Sequence, residues 1–172
     1  KHVKDLDFPI SVFNCNFTGC KSDLEGGAIS SGITKDDGTT EGTNDFSVRG
    51  CRFTECESGS GGALKFQTGT RDGDEQTNIQ MCHFINCRAN TGEGYAISCR
   101  SYILNMNDCF FREFKQQGEL NQLNHSIVFI GMNEQDNPYI DKLTFEDNSD
   151  ISSLVLKIPK AIELKNFGFY NY

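Results

Sequence analysis

One phenylalanine register constrains what this chain can fold into more than any other feature. "CNFTGC" begins at Cys15, "CRFTEC" at Cys51 and "CHFINC" at Cys82, and the pattern continues as "CFFREF" at Cys109, "LTFEDN" at Leu143 and "FGFYNY" at Phe167. Phe17, Phe53, Phe84, Phe111, Phe145 and Phe169 therefore occupy one position of a sixfold internal repeat. Their separations vary, as expected when each repeat is one supersecondary unit and insertions are confined to loops. Apolar residues at alternate positions precede most anchors: Ile10 and Val12, Phe46 and Val48, Leu104 and Met106, Ile162 and Leu164. The third and fifth copies keep only Ile79 and Ile140. Period two means a strand with one buried face. The alternation breaks just before the anchor, at Asn14, Gly50, Asp108 and Asn166, residue types that tolerate positive φ, so the strand is expected to bend there.

A second strand per repeat is announced by Gly26-Gly27-Ala28-Ile29, Gly61-Gly62-Ala63-Leu64 and Gly94-Tyr95-Ala96-Ile97, and loosely by "HSIVFI" from His125. Small residues there allow a tight corner and close packing. No stretch carries a sustained apolar 3.6 period behind a capping residue, and fourteen phenylalanines among many Thr, Asn and Gly favour strands. The expectation is an all-β chain with little helix and irregular loop insertions. Two or three short strands per turn, stacked turn on turn, make a parallel β-solenoid of about six coils, each burying its inward side chains against its neighbours.

The pairing of Phe-x-x-[Cys/Asn] with Gly-Gly-Ala-[Ile/Leu] resembles the repeats of polymorphic outer-membrane proteins and of similar protist surface proteins with right-handed β-helices. The matching stretches are Phe17 to Cys20 with Gly26 to Ile29, Phe53 to Cys56 with Gly61 to Leu64, and Phe84 to Cys87 with Gly94 to Ile97. The last departs from the pattern in having Tyr95 where the second glycine belongs. The resemblance covers the first hundred residues or so. It implies a right-handed parallel β-helix of the pectate-lyase-like type, used in adhesion or surface display at an extracellular or cell-surface location, and it carries over no catalytic residue.

Residues 1–172 read as one β-helix domain, about 25 to 30 Å tall at about 4.8 Å per coil. Neither end shows a polar capping element and Tyr172 falls in the register of Cys20, so the reading is a piece of a longer repeat protein, or ends that dock on another copy. A net charge of −8 with no basic cluster argues against nucleic acid and anionic membrane surfaces as partners. No segment approaches eighteen consecutive apolar residues, so no membrane span is expected here, and "KHVKDLDFPI" lacks the apolar core of a signal peptide.

The eight cysteines form one ladder at Cys15, Cys51, Cys82 and Cys109 and another at Cys20, Cys56 and Cys87, with Cys99 apart. Stacked equivalents have parallel Cα–Cβ vectors about 4.8 Å apart, whereas a disulfide wants Cβ atoms nearer 3.8 Å and turned together. Reduced, buried, structural thiols are the favoured reading over disulfides. Zinc fits less well, because Cys-x4-Cys straddles the bend and lacks a second ligand pair. Of His2, His83 and His125, only His83 lies in a well-defined repeat, at an outward slot shared with Asn16 and Arg52, and no Ser-His-Asp grouping follows from their placement.

The enzymatic alternative comes from pectate lyases and polygalacturonases, which resemble this architecture and carry acidic residues along one face. Loops 34–45 and 68–78 hold Asp36, Asp37, Asp72, Asp74 and Glu75, which could converge as calcium ligands or as a carboxylate pair for glycosidic cleavage. These acids stand in Gly- and Thr-rich loops without a neighbouring Arg or Lys base, the composition of solvated loops. The sequons at Asn16 and Asn124 are N-glycosylation candidates on a secretory route. The sequence thus favours a non-catalytic structural or adhesive module without a required cofactor. Its partners are other proteins or further copies, met through faces and ends, and possible carbohydrate. The alternatives are a polysaccharide-acting lyase or hydrolase, and an intracellular scaffold protein in a larger assembly.

Overall fold

The computed structural model describes residues 10–31, 33–34, 40–41, 45–67, 76–90, 93–100, 103–115, 126–131, 138–148, 152–157 and 164–170. All regular structure among them is β, with no helix. A ten-stranded sheet carries the phenylalanine register. In its first half Ile10–Phe13, Phe46–Arg49, Gln76–Gln80, Ile103–Arg112, Tyr139–Glu146 and Leu164–Lys165 lie side by side. In its second half Asn16–Thr18, Arg52–Thr54 and His83–Ile85 join the far ends of the two long strands, followed by Gly168–Tyr170. A five-stranded sheet orders Ile29–Ser31, Leu64–Gln67, Ile97–Arg100, Ser126–Gly131 and Ser152–Lys157 in the same way. Every pairing between repeats is parallel and joins each strand to its counterpart in the next repeat, an arrangement consistent with a β-solenoid.

Register follows from burial. Sliding one strand by a residue would turn its whole apolar set to water, so the alternating pattern of each repeat holds it in line with the last. The outcome is a continuous stack of rings, with centroids 5.0 Å apart for Phe17–Phe53 and Phe53–Phe84. The spacing continues at 5.1 Å, 4.9 Å and 5.5 Å through Phe111, Phe145 and Phe169. The four inner rings are fully buried, whereas Phe169 closes the stack with 55% exposure. Behind them Phe46 meets Phe66 at 4.7 Å, joining the two sheets through one core.

The corners explain the residues between the strands. Asn14, Gly50, Met81, Asp108, Lys142 and Asn166 all take positive φ just before the anchor. The bend interrupts the ladder in four repeats, yet Ile103–Arg112 and Tyr139–Glu146 run through it as single strands, since one left-handed residue re-aims a strand without ending its pairing. A second series two residues past the anchor, Gly19, Glu55, Asn86, Glu113 and Asp147, also has positive φ. It marks the turn that leaves the sheet, and its glutamates give no sequence signal of it. The glycine pairs lie in the corner rather than in the strand, which begins after them at Ile29, Leu64 and Ile97. Gly26, Gly61 and Gly94 have positive φ, while Gly62 faces a wall: a Cβ there would strike the carbonyl oxygens of Tyr95 and Arg88 in the next repeat. Tyr95 fills the equivalent corner with its side chain buried.

Candidate functional site

The thiols are the most reactive groups the repeat provides. All eight are free, and Cys51, Cys56, Cys82, Cys87, Cys99 and Cys109 are buried. Each ladder thiol donates to the carbonyl two residues back, and the five from Cys51 onward also reach the preceding repeat. Cys51 reaches Val12 O at 3.5 Å, Cys82 reaches Val48 O at 3.6 Å and Cys109 reaches Ile79 O at 3.5 Å. In the second ladder Cys56 reaches Phe17 O at 3.8 Å and Cys87 reaches Phe53 O at 3.7 Å. Two repeats later the same slot holds Asn148, whose Nδ2 donates to Phe111 O at 3.3 Å. Asn148 thus replaces cysteine in this slot with the same contact, since either side chain can donate to the anchor carbonyl of the repeat before. Burial pushes the Cys87 and Cys109 thiols well up. Their retained protons, shared along the column, draw Cys82 down and Cys56 down to about 7. Cys15 is exposed and Cys20 half-buried at the end of the ladders. Brief alkylation of the folded protein is therefore expected to label Cys15 and Cys20, and the other six only after unfolding. Mass spectrometry of the labelled peptides checks this, and rapid native labelling of Cys82 or Cys99 would contradict the packing.

A buried cation sits on the five-stranded sheet. Lys65 is 5% exposed, in register between Ser30 and Ser98, and its Nζ donates to Ser60 Oγ and Ser98 Oγ at 3.0 Å each. Burial lowers its pKa, while Glu25 and Glu93 from the repeats on either side pull it back. A Ser-Lys pair of this kind can serve as nucleophile and base, but Ser98 is fully buried. The amides of Ser60, Gly61 and Gly62 are already given to Leu24 O, Glu93 O and Gly94 O, so none of them faces a developing oxyanion. The geometry is that of a clamp between repeats. Sequence reading passed over Lys65, because its slot holds serine on both sides and carries no repeat signature.

The acidic residues Asp36, Asp37, Asp72, Asp74 and Glu75 lie outside the described residues, as do His2, His125 and Asn124. The strand pair Ile33–Thr34 and Thr40–Glu41 is an antiparallel hairpin at the root of the first acidic loop. Among the described residues no group of three His, Cys, Asp or Glu side chains could hold a metal ion. Asn16 is exposed on the outer face of its strand, aligned with Arg52 and His83.

That outer face of the long sheet is the candidate site, because it is where the repeat presents polar groups in rows. Ser47, Asn78 and Asn105 form one row, with Asn105 Nδ2 donating to Asn78 Oδ1 at 2.9 Å. Arg49, Gln80, Asn107 and Asp141 form the next. Asn16, Arg52, His83, Phe110 and Thr144 form a third, in which the His83 and Phe110 rings sit 5.5 Å apart. Thr54, Ile85 and Arg112 follow. Partial burial, and then the nearby Arg52 and Arg112, hold His83 below its ordinary value. Arg112 Nε contacts Glu113 Oε1 at 3.0 Å, while Arg49 and Arg52 form no ion pair among the described residues. The face changes character at the fifth repeat. There Asp141 accepts from Asn166 Nδ2 at 2.7 Å and from Tyr139 at 3.2 Å, bonds that hold its carboxyl below the usual range. The second to fourth repeats therefore present cations, amides and an aromatic ring, and the fifth turns acidic.

No family model, no curated protein and no solved structure matches this chain.

Proposed function

We propose that the chain is a right-handed parallel β-helix of about six coils that acts as a non-catalytic structural or adhesive module, displayed at the cell surface or outside the cell and working through its outer faces. The observation that carries the reading is the in-register stacking of the long sheet, which turns single side chains into rows of equivalent groups. Rows on a rigid parallel sheet give a broad binding face of the kind solenoids use for partners. The reactive side chains of the repeat are meanwhile committed to its interior, where the thiols donate to backbone carbonyls and Lys65 ties two repeats together. The resemblance of the Phe-x-x-[Cys/Asn] and Gly-Gly-Ala elements to polymorphic outer-membrane proteins points the same way.

The test separates this reading from a polysaccharide-acting enzyme. Protein with Asp36, Asp72 and Asp74 changed to Asn is compared with the parent on polygalacturonate and on neutral glucans, scoring new reducing ends and unsaturated products. Neither protein is expected to cleave, and both should bind cell-surface preparations equally. Product release by the parent that disappears in the triple variant would establish the enzyme instead. A glycan mass on Asn16 would support passage through a secretory route, and its absence together with reduced thiols would favour the intracellular scaffold.

A further inference from the structure

We infer that the outer face of the long sheet across the second to fourth repeats binds an anionic polysaccharide, a chain bearing carboxylate or sulfate groups. Arg49 and Arg52 make the charge contacts, and Phe110 beside His83 provides a stacking surface. The inference rests on the adhesive reading above and names the ligand class for it.

Charge distribution is the first support. The chain carries a net charge of −8, yet the outward strand positions of these three repeats hold Arg49, Arg52, His83 and Arg112 against one exposed strand carboxylate, Asp108 at the bend. Glu55 and Glu113 lie at the corner, and Asp108 at the bend contacts Lys142 at 3.6 Å. Arg112 is paired with Glu113, whereas Arg49 and Arg52 are exposed and form no ion pair among the described residues, so these two carry the charge left for a ligand. Arginine on a surface of this kind recognises carboxylate and sulfate by paired N–H donors.

The second support is the company those cations keep. Asn78, Gln80, Asn105 and Asn107 place amides beside them, each offering both donor and acceptor to sugar hydroxyls. The tilted His83–Phe110 pair offers a ring face of the kind that sugar C–H groups pack on. A third support is geometric. The rungs of a parallel sheet repeat at about 4.8 Å, so equivalent polar groups recur at a fixed short interval along the stack, as the charged groups of a linear polysaccharide do along its chain. Nucleic acid is the poorer fit, since its denser line of charge meets the repulsion of a chain that is acidic overall.

His83 supplies an internal reporter. The charged groups facing it are Arg52 and Arg112 of the neighbouring strands, with the Asp108–Lys142 pair at the adjoining bend. A bound anion would relieve the crowding of like charge and raise the pKa of the imidazole.

The experiment measures binding of the folded protein to heparin, polygalacturonate oligomers and neutral dextran by calorimetry at several salt concentrations. Heparin or polygalacturonate is expected to bind and dextran not. Changing Arg49 and Arg52 to Gln should weaken binding by roughly tenfold or more and lower the salt slope by about one per arginine. Phe110→Ala should weaken binding with the salt slope unchanged, and the His83 titration followed by NMR should move up on saturation. Failure of the parent protein to bind either anionic chain, or equal binding by the Arg49→Gln/Arg52→Gln variant, would overturn the inference while leaving the adhesive reading in place. Cleavage of the probe would instead remove the adhesive reading itself.

Discussion

Replacing Phe84 with alanine is expected to lower unfolding free energy by about 3–5 kcal/mol, the range for emptying a fully buried phenylalanine site. Phe84 lies mid-stack, with rings at 5.0 Å on one side and 5.1 Å on the other, and it is completely shielded from water. Its loss opens a cavity that the rungs cannot close, because their spacing is held by hydrogen bonds above and below. It also removes two ring contacts, each adding about 0.5–1.5 kcal/mol beyond burial. Since small domains are stable by only about 5–15 kcal/mol, this one change should bring the protein near its folding threshold. Phe169→Ala is the internal control. The same residue type in the same register, but 55% exposed at the end of the stack, should cost about 1 kcal/mol or less. Urea midpoints of the two variants decide the matter: a loss at Phe84 no larger than at Phe169 would mean that the column is not what holds the repeats together.

The second large effect is alkaline destabilisation through Cys99. Its neighbours in the stack are Phe66 and Ile130 rather than other thiols, and burial pushes its thiol from 9.0 up to about 12. The unfolded chain releases this proton at lower pH than the folded protein does. The stability is therefore present in full below 9.0 and lost as pH rises toward the folded value. The slope is about 1.4 kcal/mol for each pH unit above 9.0, reaching about 4 kcal/mol when the window is complete. Cys87 and Cys109 act in the same direction, and Cys56 and Cys82 against it. Lys65 also opposes: its lowered pKa means that the folded state sheds its charge first, so its contribution improves with pH up to 10.5. The comparison that isolates Cys99 is Cys99→Ala against the parent, with urea unfolding at about pH 8 and about pH 10. The variant should start less stable and lose less. Equal losses in the two proteins would show that this thiol is not shielded as described.

The repeat was open to sequence reading because its signal is written into side-chain type. Phe17 through Phe169 stand at one position of each unit, and the all-β, parallel character of the sheets follows from period-two alternation that every copy repeats. The bends at Asn14, Gly50, Asp108 and Asn166 were legible for the same reason, since these residues accept left-handed backbone cheaply. The same bends at Met81 and Lys142, and the second corner at Glu55 and Glu113, were not legible: there the neighbouring rungs impose the conformation on residues that would not choose it alone.

The chain alone determined which residues recur and which face of each strand is apolar, because solvent sorts side chains locally and every repeat solves the same problem. Only the tertiary arrangement decided what the outward residues do together. Arg52, His83, Phe110 and Arg112 come from three repeats, separated by loops of unequal length, and the parallel ladder makes them neighbours on one surface. Lys65 shows the same division in the interior. Its sequence neighbourhood is ordinary, and its burial, its two serine partners and its lowered pKa exist because Ser98 of the following repeat stacks directly against it. Charge and hydrogen bonding act through space over a few ångströms, a distance that chain order does not specify until the rungs are stacked.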